Sequence, residues 1–249
     1  CKLVVGNIVI SLDSEFIENK KMLTEKQKQD CETNAFKRMI KRIKKNYPKY
    51  KFIITGDGLY ATSPIIKLCK KYNWYYIFNL KPDRLKEINE TFEDNINYKN
   101  ETTLKDYYLS TNIEYKGNIL SVFKFIETKK KNTTFRYISN LCVKDSNIKE
   151  IVSMGRKRWK IENEGFYNQK HRTFNISHLS SRNDTAMKNH YFFIQFAHTI
   201  RQLLEQGNLL TKSLKLKIKE VSKLLLKALT SKPSDLNNLE TNFQLRFDD

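Results

Sequence analysis

Glycine and proline are scarce in this 249-residue sequence: seven and four, too few for long flexible linkers. Four cysteines, Cys1, Cys31, Cys69 and Cys142, form no CxxC pair. That excludes a zinc ribbon, indicates no disulfide framework, and leaves a reduced, cytoplasmic chain as the simple expectation. Apolar runs stay well short of the roughly 20 residues that span a bilayer, so no membrane partner is expected. The histidines at 171, 178, 190 and 198 lack HExxH or any paired-ligand spacing. A glycine-rich phosphate loop is also missing, so no nucleotide cofactor is implied. Acidic residues are outnumbered 27 to 46 by Lys+Arg, which leaves a net charge of +19.

What remains is a folding composition, 39% hydrophobic and 12% aromatic, in a chain long enough to bury a sizeable core. A charge of +19 repels itself unless a polyanion or an acidic surface is nearby. A bias toward Lys, Asn and Ile accounts for part of the excess. It does not account for basic side chains clustering beside aromatic ones.

The run LVVGNIVISL, with Gly6-Asn7 at its centre, predicts a hairpin of residues 2–5 and 8–12. A hairpin placed this close to Cys1 is expected to follow further sequence upstream. Residues 13–30 read as a polar loop, with Asp30 a candidate helix cap. Ala35, Phe36, Met39, Ile40, Ile43 and Tyr47 recur at helical spacing up to Pro48. KFIIT (51–55) predicts a strand, GDGLYAT a loop, and Ser63-Pro64 the cap and first position of a helix reaching about Tyr72. NWYYIFNL (73–80) predicts another buried strand. Strand, helix, strand in this order implies a right-handed βαβ unit and a partly parallel sheet.

From 98 to 145 the sequence breaks into short β-rich runs with turn signals at Gly117-Asn118 and Lys131-Asn132, as in an all-β insertion. Phe123, Phe125, Phe135 and Tyr137 alternate there as sheet residues do. Helical patterning returns from 146 to about 170 and again over 184–206, where Met187, Tyr191, Ile194, Phe196, Ala197 and Ile200 are the expected core. The tail, 207–249, contains a basic amphipathic helix with Leu214, Ile218, Val221, Leu225 and Leu229 on one face. The expected organisation is thus 1–97, the insertion 98–145, a second helical part 146–206, and the tail.

Two carboxylates stand out. Asp57 lies between two glycines directly after KFIIT, at the carboxyl end of an expected parallel strand, where ligands gather in open α/β sheets. Glu162, in RWKIENEGF, stands four residues after Arg158, which also reads as a surface ion pair. Carboxylates with basic neighbours suit phosphodiester cleavage with divalent ions: oxygen ligands hold the ions, and Arg or Lys neutralises phosphates.

KQDCETNAFKR, GDGLYA and RWKIENEGF together resemble insertion-sequence transposases of the DDE type, over roughly residues 1–205. The branch resembled carries a β-rich insertion and a Tyr-Arg-Glu-Lys signature. The resemblance implies an α/β, ribonuclease H-like mixed sheet flanked by helices, with the all-β insertion before the last catalytic helix. It implies Asp57 as the second catalytic Asp and Glu162 as the final Glu, both metal ligands, with Mg²⁺ as the ion and Mn²⁺ as an alternative. Arg158 takes the signature Arg position, and Lys170, His171 and Arg172 extend a DNA-binding surface. DNA ends and target DNA are the implied partners, held by a homodimer, in a bacterial cytoplasm.

The sequence departs from that pattern in three places. Gly155 stands where the signature Tyr falls, and Gln169 where the Lys falls, with Lys170 one residue late. A regular helix would put Lys170 about 80° off the Glu162 face, so a π-bulge at Gly165 is expected to absorb one residue. The first catalytic Asp is expected upstream of Cys1, with Asp13 the alternative within the chain. If that Asp is absent altogether, a non-catalytic DNA-binding remnant becomes the rival reading. A basic RNA-binding protein with structural carboxylates is the other.

Overall fold

The computed structural model describes residues 1–17, 30–99, 102–104, 106–128, 132–171, 174–178, 180–206 and 218–230. Two compact units emerge, one formed by Asp13–Trp159 and the other by Cys1–Leu12 with Lys160–Asp249.

The Asp13–Trp159 unit is built on one six-stranded mixed sheet. In chain order its elements are α1 (Glu32–Asn46), β3 (Ile53–Gly56), α2 (Ser63–Lys71), β4 (Tyr75–Asn79), α3 (Lys86–Lys99), β5 (Thr102–Leu104), β6 (Tyr107–Tyr115), β7 (Asn118–Thr128), β8 (Asn132–Ser139) and α4 (Ile148–Arg156). The strand order is β3-β4-β8-β7-β6-β5. β3 and β4 are parallel, as the βαβ reading requires, and every other pair is antiparallel. The β-rich segment therefore continues the central sheet, because β8 pairs with β4 in the register Phe78↔Ile138. Two of the runs read from sequence, YYLST and IEYKG, are a single strand, β6, with a register shift between Ser110 and Ile113 where Asn112 adopts φ 58°.

Helices cover both faces. On one face Leu109, Phe123 and Tyr137 stand side by side across β6, β7 and β8 and pack with Ile77 against Ile148, Ile151 and Val152 of α4. Phe123 and Tyr137 are buried, with Phe125 and Phe135 partly buried beside them, as their alternation predicts. On the other face α3 sets Ile88, Phe92 and Ile96 inward. Arg136 lies over the Phe92 ring and bonds Asn89 and Glu93 of the same helix. Helix α3 escaped the sequence reading because its Asn- and Glu-rich surface masks three apolar positions spaced four apart.

Local caps differ from expectation. Thr62, not Ser63, is the residue before α2, and Pro64 sits in its first turn. Cys31 precedes α1, while the Asp30 carboxylate turns to Arg38, at 2.7 and 3.0 Å. Its Oδ1 also accepts the Cys31 N–H at 3.0 Å, just ahead of the helix, so the carboxylate is satisfied without capping a helical N–H.

The second unit contains the hairpin β1 (Lys2–Val5) and β2 (Ile8–Ser11), a π-helical segment (Ile161–Phe166), α5 (Tyr167–His171), α6 (Asp184–Gln206) and α7 (Ile218–Thr230). Gly6 turns the hairpin with φ 55°. Among the described residues β1 and β2 pair only with each other. Helix α6 spans the predicted range but buries a different face: Ile194, Gln195, His198 and Gln202 are inside, while Phe196 is 65% exposed and Met187 and Ile200 are also exposed. Hydrophobic periodicity misjudges it because the inward positions are mostly amides and an imidazole. On α7, Leu224 and Leu226 are exposed; the expected face at Leu214, Ile218, Val221, Leu225 and Leu229 lies outside the described side chains.

Candidate active site

Asp57 occupies the position expected of it. It follows β3 immediately, at the carboxyl end of the parallel pair β3–β4. Its Oδ1 accepts the Leu59 N–H at 2.9 Å, and its backbone carbonyl accepts the Tyr60 N–H. These bonds close a tight turn, and the second carboxylate oxygen has no hydrogen-bond partner among the described residues. The flanking glycines leave little room for a side chain. A Cβ at Gly56 would come 2.9 Å from the Tyr60 ring, and one at Gly58 3.1 Å from the Lys81 side chain and 3.4 Å from the Asn79 carbonyl.

Tyr60 neighbours Asp57 and brings a second carboxylate, Glu32, that the sequence does not reveal. Tyr60 donates its hydroxyl to Glu32 at 2.6 Å, and Glu32 opens α1 within the quoted segment KQDCETNAFKR. Burial, then the Glu32 carboxylate and Asp57, push the Tyr60 phenol well above its ordinary range. Tyr60 therefore stays a neutral donor. Asp13, by contrast, is gripped by Arg42 at 3.1 Å through both carboxylate oxygens. Arg42 and Arg38 also bind Glu15, so Asp13 belongs to a salt-bridge network.

Glu162 lies in the other unit, exposed on the π-helical segment. The distortion expected at Gly165 is present: the Tyr167 N–H reaches the Glu162 carbonyl, five residues back. Gly165 is buried, and a Cβ there would meet Lys2 at 3.7 Å. One residue absorbed by a wide turn takes back about 100°, which brings Lys170 from about 80° to within about 20° of the Glu162 face. Lys170 and His171 are exposed on α5, with the His171 ring 5.1 Å from Tyr167. Arg158 sits half-buried just after α4, in the Asp13–Trp159 unit. Arg172 lies outside the described residues.

Gln169, at the signature Lys position, is fully buried. It exchanges two amide hydrogen bonds with Gln195, and Lys2 donates to the same Gln195 oxygen. A lysine there would have no water, which explains why the exposed cation is the next residue. Gly155, at the signature Tyr position, is also closed: its Cβ would lie 2.9 Å from the Tyr137 ring and 3.0 Å from Ile77.

A hard divalent cation prefers carboxylate oxygen, and the unpartnered oxygen of Asp57 fits one. Among the described residues no three His, Cys, Asp or Glu side chains gather into a metal cage. No described helix is long and apolar enough to cross a membrane.

The family model described as Transposase DDE domain group 1 matches residues 21–230. Among curated proteins, none matches.

Proposed function

The chain belongs to the DDE transposase domain family, group 1, and on that premise we propose that it cleaves phosphodiesters at the ends of a mobile element and joins the freed 3′ hydroxyl to target DNA. Family membership already makes DNA the substrate and a nuclease or transposition step the chemistry, on an α/β, ribonuclease H-like fold. The observation that carries the finer reading is Asp57: a carboxylate at a parallel strand end, held by Leu59 N–H through one oxygen and open at the other.

In this reading Asp57 and Glu162 are the carboxylates that hold divalent metal, Mg²⁺ or Mn²⁺. When bound, the metal supplies an activated oxygen nucleophile and charge stabilisation at the leaving 3′ oxygen. The chain's own residues do the rest. Arg158, Lys170 and His171, with Arg172, hold DNA phosphates and offset their charge. Tyr60, kept neutral, donates to Glu32 and stands beside Asp57 as a second polar group at the strand end. Two copies of the chain would hold the two ends of the element, and light scattering on the DNA complex measures that stoichiometry.

The test is Mg²⁺-dependent cleavage of a duplex carrying the element's terminal repeat. Asp57→Asn and Glu162→Gln are each expected to abolish cleavage while leaving circular dichroism and DNA affinity in place. Normal cleavage by either variant sinks the assignment of that carboxylate.

A further inference from the structure

Opposite Asp57, the other edge of the same sheet gathers positive charge and aromatic rings. Because β3 and β4 are parallel, both strands begin at this edge. Helices α1 and α2 each run back to it before the strand that follows. Their last turns bring Lys44 and Lys45, and Lys70 and Lys71. The loop into β3 adds Lys49 and Lys51. All but Lys44 are exposed, and Lys44 donates to the Pro48 carbonyl.

The two loops are tied into one surface. Trp74 donates its indole N–H to the Tyr50 carbonyl at 3.2 Å, and Tyr75 N–H bonds the Phe52 carbonyl at 2.9 Å. Rings continue the link: Tyr50 stacks on Phe52, Phe52 meets Trp74 edge-on at 5.1 Å, and Tyr72 lies 5.5 Å from Trp74. Tyr50 is 64% exposed, and Tyr47 and Tyr75 are exposed beside it.

Carboxylates are missing where a solvated charge run would intersperse them. From Met39 to Gly56 and from Gly58 to Pro82 there is no Asp or Glu. In the loop that leaves this edge after β8, Lys144 and Asp145 offset each other. The excess is therefore concentrated at the starts of β3 and β4, on a base of paired strands and packed rings; Glu114 and Glu150 stand further along the same edge, each with a lysine close in sequence, Lys116 and Lys149.

We propose that this edge binds the phosphate backbone of duplex DNA, as a second contact separate from the reacting phosphodiester. Lysines neutralise phosphates, and exposed tyrosine hydroxyls are among the groups that hydrogen-bond phosphate oxygens. β3 alone spans about 13 Å between this edge and Asp57, so the contact holds DNA without touching the chemistry. The inference rests on DNA as the family's substrate and is independent of which carboxylates cleave it.

The experiment uses the full chain and a 30-base-pair duplex of arbitrary sequence, with affinity followed by fluorescence anisotropy between 50 and 200 mM salt. Lys45→Gln/Lys49→Gln/Lys70→Gln is compared with a charge-matched control, Lys86→Gln/Lys223→Gln/Lys227→Gln. The patch variant is expected to bind at least about 10-fold more weakly, with a salt dependence shallower by about 2 to 3 in log–log slope. The control should change neither beyond about twofold. Tyr50→Ala, which removes no charge, should weaken binding at every salt concentration. Equal losses in patch and control variants overturn the proposal in favour of net charge alone. Unchanged binding by a folded patch variant overturns it outright. Tighter binding of a single-stranded RNA than of the duplex, lost in the patch variant, overturns it in favour of RNA. Asp57→Asn is expected to bind normally and fail to cleave, so the two readings fail separately.

Discussion

Gln169 and Gln195 hold each other by reciprocal amide hydrogen bonds, 2.9 and 3.1 Å, in the interior of the unit that carries Glu162. Lys2 of the hairpin donates to the same Gln195 oxygen. One side-chain pair thus fastens α5, which follows the π-helical segment, to α6 and to β1. Removing one amide leaves the other buried without its partner. Gln169→Leu or Gln195→Leu should each cost about 1–3 kcal/mol, and the double Leu variant less than their sum. Denaturant melts of the three variants measure it.

Exchanging the cation into the signature position tests the same site from the other side. Gln169→Lys/Lys170→Gln places an ammonium where the structure excludes water. It should destabilise the chain by several kcal/mol. Lys170→Gln alone should fold normally and lower the salt slope of DNA binding by about 1. A stable, DNA-binding exchange variant would contradict the geometry described for α5.

Gly155 faces Tyr137 and Ile77 with no room for a Cβ. Gly155→Ala should destabilise by about 1–3 kcal/mol through overpacking, and Gly155→Tyr, which restores the signature residue, should not fold. Thermal melts and expression in soluble form report both.

His198 gives the chain a pH dependence with a definite sign. Both ring nitrogens are buried, and among the described residues neither makes a hydrogen bond of full geometry, the Glu164 backbone giving only partial support to the charged form. Burial, reinforced by the nearby Lys2 charge, lowers the imidazole from 6.5 to about 4. Between these values the unfolded chain binds a proton that the folded chain refuses, so stability falls as pH drops from about 6.5 toward 4. Lys2, lowered by burial from 10.5 to about 8, acts likewise at higher pH: stability rises as pH increases across that window. Melting temperatures of wild type and His198→Leu over pH 4–7 check the first claim. The variant should lose most of the slope.

Much of the candidate site was legible in the sequence. Asp57 could be placed at a strand end because KFIIT and NWYYIFNL are apolar runs bounded by turn residues, and the helix between them forces a parallel pair. The π-helical segment could be anticipated because Lys170 stands one residue beyond the position a regular helix needs. What escaped was polar. Helix α6 was read from its apolar residues, yet Gln195, His198 and Gln202 go inside and Phe196 stays out. Amides can satisfy one another in an interior, and no periodicity in one segment reveals a partner elsewhere in the chain.

Turn residues and apolar spacing determined by themselves most of the strands and helices, α3 excepted, and the parallel pair that presents Asp57, while the family was read from the resemblance of three motifs. Those are local properties, set by backbone preference and by side-chain period. Only the tertiary structure decided that the β-rich segment joins the central sheet, that Gly56 and Gly155 are packed against by rings, and that Gln169 is sealed while Lys170 is exposed. It also decided that lysines from two separate helix ends share one edge opposite Asp57. Each of these depends on which distant residue arrives as a neighbour, and burial, hydrogen bonding and charge are properties of that arrival.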